Sequence, residues 1–307
     1  MLKNFTVEMD DGVHIHVNHW LDDKESKEIL IILHGMAEHS LRYAEFAEFL
    51  VNHNYEVYAW DHRGHGQTGE AVNELGYFYD TNGWQRVVDD IKSITKWINK
   101  EHQGKDIIIM GHSMGSLLAR TALQQYGEEY KGAIISGTTL GGSIAKQKIG
   151  RLFTQHYIKK HGTKKQADLL DKMTFGNFNN QFKPTKTSFD WLSRDEKQVN
   201  LYEEDSLCGF ICSSSFFLDL IDGTGITRDK KEIEKIPKDI PIYLYAGDQD
   251  PVSQGGKEVK KLYKLYKDIG IKDVELKLYE DGRHEMLNET NRYEVYEDIL
   301  RWLEKHQ

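Results

Sequence analysis

The sequence predicts an α/β fold, a mostly parallel sheet with helices on both faces and an inserted helical cap, and three observations predict it. Short apolar runs of strand length alternate with amphipathic runs of helical period. The stretch 106–118, DIIIMGHSMGSLL, passes from an apolar strand through a Gly-x-Ser-x-Gly turn into a helical pattern. Residues 140–228 interrupt the alternation with amphipathic helical stretches and a loop around 177–184, after which strands resume, so the chain must return to the same core. The expected organisation is a core formed by 1–139 and 229–307 with a cap over 140–228.

Taken in order, residues 5–9 and 13–20 flank Asp10-Asp11-Gly12 with alternating apolar character. That reads as an antiparallel edge hairpin, because Asp-Gly accepts the positive φ of a tight turn. Ile29–Leu33 is continuously apolar and ends in His34-Gly35, as expected of a strand covered on both faces. Residues 42–52 carry Tyr43, Phe46, Ala47, Phe49 and Leu50 at helical spacing, and 55–60 return to strand. Asp61-His62-Arg63-Gly64-His65-Gly66 reads as a tight, charge-braced turn. Residues 84–100 gather Val87, Val88, Ile91, Ile94, Trp97 and Ile98 on one helical face, and 107–110 is the strand that delivers Ser113. Beyond it, 117–126, 259–269 and 293–303 read as helices, and 133–136, 242–246 and 274–279 as strands.

Composition narrows the class. Residues of the hydrophobic set make up 39% and aromatics are well represented, which excludes a disordered chain. The amino-terminal stretch lacks an apolar signal region and Ile29–Leu33 is the longest aliphatic run, so a cytoplasmic location without a membrane span is expected. The net charge of −9 argues against nucleic acid as a partner. Cys208 and Cys212 read as small buried thiols, and the scattered histidines, such as His14 and His16, lack acidic partners at ligand spacing, so neither a metal nor another cofactor is expected. The oligomeric state is left open.

A serine hydroxyl is a weak nucleophile at neutral pH and needs a base within hydrogen-bond reach and a carboxylate to orient that base. Strand 242–246 ends in Gly247-Asp248-Gln249-Asp250-Pro251-Val252, and strand 274–279 in Glu280-Asp281-Gly282-Arg283-His284-Glu285. Both lie at carboxyl ends of strands, where open α/β sheets bind ligands. Singly, Ser113 reads as a helix N-cap, Asp250 as a turn former and His284 as a loop histidine. Placed together they read as nucleophile, orienting acid and base. Asp248 competes with Asp250, which is preferred because it immediately precedes Pro251-Val252 at the loop turn.

Five segments carry a family resemblance: His34-Gly35-Met36-Ala37-Glu38-His39-Ser40-Leu41-Arg42-Tyr43, Asp61-His62-Arg63-Gly64-His65-Gly66, Gly111-His112-Ser113-Met114-Gly115-Ser116, Gly247-Asp248-Gln249-Asp250 and Asp281-Gly282-Arg283-His284-Glu285. Together they resemble the monoacylglycerol lipase and lysophospholipase group of α/β-hydrolases, over nearly the whole chain. In the cap, residues 189–195 and Cys208-Gly209-Phe210 are also similar to bacterial members. The resemblance implies an α/β-hydrolase fold and a serine ester hydrolase that cleaves lipid-like carboxylic esters, monoacylglycerol or lysophospholipid, through an acyl-enzyme. Ser113 would attack, His284 would move the proton and Asp250 would hold the imidazole. The backbone N–H groups of Met36 and Met114 would form the oxyanion hole.

This chain departs from the family's HGxGEH form at Ala37, which restricts the loop more than glycine would. Glu38, His39 and Arg42 would sit near the alcohol end of the pocket, or else form an ion-pair network fixing the loop; His112 would lie just behind the reacting groups. Serine in the elbow disfavours epoxide-hydrolase chemistry, and HGMAEH is unlike the HGGPG loop of proline iminopeptidases. A carboxylesterase or acyltransferase on short soluble esters, and a silent binding module on the same scaffold, are the rival readings.

The cap is expected to be a lid whose Phe153, Tyr157, Phe175, Phe178, Phe216, Phe217 and Leu218 form an acyl pocket, or else the lid's own core. Its segment 143–186 holds ten Lys/Arg against Asp168 and Asp171, net +8, so the remainder carries −17. That segment reads either as a solvated basic face or as a peripheral contact with anionic membrane, with aromatics Phe153 and Tyr157 and Ile158 beside Lys159, Lys160, Lys164 and Lys165.

Overall fold

A computed structural model describes residues 1–23 and 26–307. Strands β1 (Leu2–Glu8) and β2 (His14–Trp20) form the edge hairpin, with Leu2 opposite Trp20 and Glu8 opposite His14, turning through Gly12 at φ +80°. Then follow β3 (Ile29–Leu33), a 3-10 turn (Ser40–Tyr43), α1 (Ala44–Val51), β4 (Glu56–Trp60), α2 (Gly66–Ala71), α3 (Gly83–Glu101), β5 (Ile107–His112), α4 (Met114–Tyr126) and β6 (Gly132–Ser136). The interruption contains α5 (Ile144–His161), α6 (Asp168–Phe175), α7 (Glu196–Glu204) and α8 (Ser214–Arg228). The chain closes with α9 (Lys230–Ile233), β7 (Ile242–Gly247), α10 (Lys257–Asp268), β8 (Val274–Tyr279) and α11 (Arg292–Lys305).

The eight strands pair in the order β1-β2-β4-β3-β5-β6-β7-β8, parallel from β4 through β8 and antiparallel only at the β1 edge and the β2–β4 pair. Every residue of β3, β4, β5, β6 and β7 is buried, which is why those strands read as unbroken apolar runs rather than alternating ones. Two apolar clusters cover the two faces of the sheet: α3 and α4 pack on one through Val87, Ile91, Leu118 and Ala122, and α1 and α11 on the other through Phe46, Leu50, Tyr296 and Ile299.

Two local expectations need correction. Residues 42–52 begin as the 3-10 turn before α1 starts at Ala44. The turn at 61–66 runs directly into α2, because Asp61 accepts from the N–H of Gln67 at 2.8 Å and satisfies a donor of the first helical turn. The charged brace is there as well: Arg63 donates to Asp90 at 2.5 Å and to Asp11 at 2.8 Å.

The segment 140–228 is helical, with a single isolated bridge between Gln166 and Ser213 among the described residues. Helix α8 seats it on α3. Asn82 at the start of α3 lies at φ +55° and caps nothing with its own side chain, and the Asp219 carboxyl of α8 is buried against the first turn of α3 beside Gly83. Burial pushes that carboxyl up to about 7. A Cβ on Gly223 would stand 2.1 Å from the Trp84 indole, so glycine is what lets the two helices approach.

The two ends of the segment are held by one buried side chain. Arg120 of α4 donates to the carbonyl of Thr139 at 2.7 Å, where the chain leaves the core, and to the carbonyl of Thr227 at 2.9 Å, where it returns. Arg120→Met should therefore lower stability by about 3 kcal/mol, since hydrogen bonds to a buried charged group are worth roughly 1.5–3 kcal/mol each and both carbonyls lose their donor. Urea unfolding checks this; a variant as stable as the parent would contradict the role given to Arg120.

Candidate active site

β5 delivers Ser113 at φ +53° and ψ −120°, outside the region serine normally occupies, so the residue is held at the apex of the turn by what surrounds it. A Cβ on Gly111 would lie 2.2 Å from the Gly115 carbonyl oxygen, and one on Gly115 2.0 Å from the Leu33 carbonyl oxygen. Glycine at both positions is the condition for α4 to start this close to β3 and β5. The Ser113 N–H donates to the Ser136 carbonyl at 3.0 Å and the Ser116 hydroxyl donates to the Ser113 carbonyl, fixing the backbone on both sides of the exposed hydroxyl.

The loops after β7 and β8 bring Asp250 and His284 together, with Nδ1 of His284 2.9 Å from Oδ1 of Asp250. Asp250 is fully buried, and the same oxygen accepts the Val252 N–H at 2.9 Å, so the turn at Pro251-Val252 orients the carboxylate. Burial alone would raise the Asp250 carboxyl, but the charge and hydrogen bond of His284 and the Val252 N–H hold it below the ordinary range. Burial alone would lower His284, and the Asp250 carboxylate outweighs it and raises the imidazole. Asp248 takes no part: its oxygen accepts from Gln249. Ser113 and His284 lie on the wall of one cavity, and among the described residues the Ser113 hydroxyl makes no hydrogen bond. Catalytic hydrogen bonds commonly tighten only when substrate is bound.

Opposite them, the loop after β3 is set by hydrogen bonds from behind. Nε2 of His34 accepts the His62 N–H at 3.0 Å, so Nδ1 carries the proton and donates to the Gly35 carbonyl at 2.7 Å. A trans peptide points its N–H opposite to its C=O. Pinning the Gly35 carbonyl backwards therefore turns the Met36 N–H forwards, on the cavity side. Met114 is the first residue of α4, so its N–H has no carbonyl one turn back in the helix. Met36 and Met114 both line the cavity. Ala37 takes φ +52°, a conformation glycine adopts freely. Its carbonyl accepts from the Gly209 N–H at 2.9 Å and from the Tyr202 hydroxyl at 2.8 Å, and these two bonds hold the alanine where the family pattern has glycine.

Of Glu38, His39 and Arg42, only Glu38 lines the cavity. Its carboxylate accepts from the Gly35 N–H, Arg42 Nη1 and the Tyr43 hydroxyl at 2.6, 2.6 and 2.9 Å. Burial raises this carboxyl, yet the Arg42 guanidinium and its other neighbours bring it down to about 2. Arg42 also forks onto Glu285 with two bonds of 2.6 Å, and His39 pairs with Asp205 at 2.8 Å. All three side chains are thus committed to a network that braces the loop. His112 packs at 4.7 Å against the His284 ring and burial lowers it to about 4.

The cavity holds about 990 Å³ and runs from Ser113 between core and cap. Phe153, Phe175, Phe178 and Phe217 line it, whereas Tyr157, Phe216 and Leu218 do not. Phe216 is instead buried against His65 and Phe78, filling the junction of cap and core. Residues that periodicity did not single out take their places. Trp191 tilts over His284 at 5.1 Å, while Leu220 and Ile221 of α8 complete the apolar wall. The only signal for Trp191 was its place in the cap stretch 189–195. Cys208 and Cys212 are both buried free thiols.

These environments predict a separation of histidine titrations. His284 should titrate above its ordinary value of about 6.5, and Asp250→Asn should bring it below that value, because burial is then left unopposed. His112, and His65 at about 3, should stay neutral throughout. Proton NMR of the ring resonances reads all three, and a His284 midpoint that ignores Asp250→Asn would contradict the assignment. His34, His62 and His65 have folded pKa values depressed by burial. Their contribution to stability is therefore complete above about 6.5 and is lost as pH falls below it.

Residues 24–291 match the Hydrolase_4 family, described as serine aminopeptidase, S33. The chain is 24% identical over 301 residues to the monoacylglycerol lipase of Mycolicibacterium smegmatis, covering 96% of this chain and 94% of that one. It is 25% identical over 301 residues to the human monoglyceride lipase, covering 95% and 88%. A carboxyl esterase from Bacillus coagulans, solved in complex with glycerol, superposes with a TM-score of 0.91 at 25% identity, over 99% of this chain and 98% of that one. The chain therefore belongs to the Hydrolase_4 family, within the monoacylglycerol lipase and lysophospholipase group of α/β-hydrolases.

Proposed function

We propose that this protein is a serine ester hydrolase of lipid-like carboxylic esters, monoacylglycerols foremost, with Ser113 as nucleophile, His284 as general base and acid, and Asp250 as orienting acid. The observation that carries the reading is the buried Asp250–His284 pair sharing a cavity of about 990 Å³ with the strained Ser113. Ser113 Oγ attacks the ester carbonyl as its proton passes to Nε2 of His284, and the oxyanion is received by the N–H groups of Met36 and Met114. The tetrahedral intermediate collapses, its alcohol leaves with the proton from His284, and water repeats the sequence to release the acid. An apolar wall of Phe153, Phe175, Phe178, Phe217, Leu220 and Ile221 suits an acyl chain, since each buried methylene contributes about 0.8 kcal/mol.

Ser113→Ala should fold as the parent does, lose labelling by a fluorophosphonate probe, and hydrolyse a long-chain monoacylglycerol at least about 10³-fold more slowly. Retained labelling would contradict the nucleophile. Within the parent, kcat/KM should rise from short soluble esters to long-chain monoacylglycerols; the reverse order would favour a short-ester carboxylesterase.

The segment 140–228 is proposed to act as the lid, and 143–186 as a peripheral contact with anionic lipid in a cytoplasmic protein. In support, Ile149, Leu152 and Met173 are each more than 60% exposed on α5 and α6, beside exposed Lys148 and Lys172. These replace Tyr157 and Ile158 as the apolar contact residues, because both are half-buried. Lys164 is already paired with Glu74. Among the described residues no helix is long and apolar enough to cross a membrane. Co-sedimentation with phosphatidylserine vesicles at low salt should exceed that with phosphatidylcholine, and should fall with added salt and in Lys159→Glu/Lys160→Glu/Lys165→Glu. Binding indifferent to all three would leave the basic stretch as a solvated face.

A further inference from the structure

At the opposite end of the sheet from Ser113, three side chains of metal-ligand type meet: His19 of β2, Glu56 at the start of β4, and His102 just after α3. We propose that they form a binding site for a divalent transition-metal cation of the Zn²⁺ class, joining the edge hairpin to the end of α3.

The geometry points there in four ways. Both imidazoles face one oxygen: Oε1 of Glu56 lies 2.6 Å from Nε2 of His19 and 3.5 Å from Nε2 of His102. The other oxygen is engaged by Ser26 at 3.0 Å and Lys105 at 3.5 Å, so the carboxylate presents a single ligand atom inward. The ligands are also held in place. His19 is stacked on Tyr58 with ring centroids 3.9 Å apart, and the N–H of His102 donates to the Ile98 carbonyl at 2.9 Å. The Tyr58 hydroxyl lies 2.7 Å from Nε2 of His102 and steadies that ring from the other side. Finally, a cavity of about 220 Å³ opens beside Glu56 and His102, with room for the water that completes a tetrahedral shell.

Two nitrogens and one carboxylate oxygen with an open fourth position is a ligand set zinc commonly takes. On binding, the cation replaces the proton between His19 and Glu56, which is released to solvent, and replaces the Tyr58 hydrogen bond to His102. Two other clusters of such residues fit less well. Asp273, Glu275 and His306 lie at the surface, where both acids are paired with Lys305. His39, Asp205 and Cys208 offer one imidazole, already paired with Asp205 at 2.8 Å within the network that braces the loop after β3.

The experiment is isothermal titration of the chelator-treated full chain with Zn²⁺, together with the visible spectrum of the Co²⁺ form. One equivalent should bind, with Co²⁺ giving the intense bands of a four-coordinate site. Loss of an outer partner of a metal ligand weakens binding 10–100-fold, so loss of a ligand itself in His102→Gln or Glu56→Gln should weaken it at least about 100-fold. Both variants should keep the circular dichroism and ester hydrolysis of the parent, and His306→Gln and Cys208→Ser should bind as the parent does. Absence of stoichiometric binding would overturn the proposal. So would binding that survives His102→Gln and Glu56→Gln, or that is lost in His306→Gln or Cys208→Ser.

Discussion

The site depends on how closely α4 starts against β3 and β5. Carbonyl oxygens stand 2.0 and 2.2 Å from where side chains on Gly115 and Gly111 would begin, so any side chain there would push the helix away. With that approach fixed, Ser113 must turn through φ +53°, and its hydroxyl is left projecting beyond the carboxyl end of β5. The parallel sheet supplies the rest. Because β3, β5, β7 and β8 all run the same way, the loops after them open on the same end of the sheet, where Met36, Ser113, Asp250 and His284 are carried.

The helical segment over that end is more than a cover. Tyr202 and Gly209 hold the Ala37 carbonyl, and the carbonyls of Trp191 and Leu192 accept the N–H groups of His284 and Glu285 at 3.4 and 2.7 Å. Arg283 reaches the carbonyl of Ser193 at 3.1 Å, and Arg194 pairs with Glu289 at 2.9 Å. The loop after β3 and the loop after β8 are thus both bonded to one stretch of the segment. The Arg42–Glu285 fork ties the two loops directly to each other. Displacing residues 189–209 breaks backbone bonds on both sides of Ser113. Helices α5 and α6 lie outside that bonded stretch and expose Ile149, Leu152 and Met173.

Much of this was legible in the sequence because the physics is local. Strands covered on both faces read as unbroken apolar runs, and a strand, Gly-x-Ser-x-Gly and a helix in succession leave few alternatives. Asp250 was preferred to Asp248 only for its place just before Pro251-Val252, and in the structure the turn there sends the Val252 N–H to its carboxylate. What stayed hidden depends on tertiary placement. Tyr202 lies 165 residues from Ala37, and no periodicity in α7 announces that its hydroxyl caps a carbonyl in another loop. Phe216 and Phe217 are neighbours on α8, yet one fills the junction with the core and the other faces the cavity, a division set by helix rotation rather than hydrophobicity. The His19–Glu56–His102 group was missed because its members come from three elements with no common spacing.

The central claim is that the loop after β3 and the start of α4 aim two N–H groups at an oxyanion on Ser113. A crystal structure of the protein carrying a long-chain alkylphosphonate on its nucleophile measures this directly. The account predicts phosphorus bonded to Ser113 Oγ, the phosphonyl oxygen about 2.7–3.1 Å from the nitrogens of both Met36 and Met114, and the alkyl chain between Phe175 and Phe217. Phosphorus on another residue, or an oxygen bonded to only one of the two amides, would contradict it.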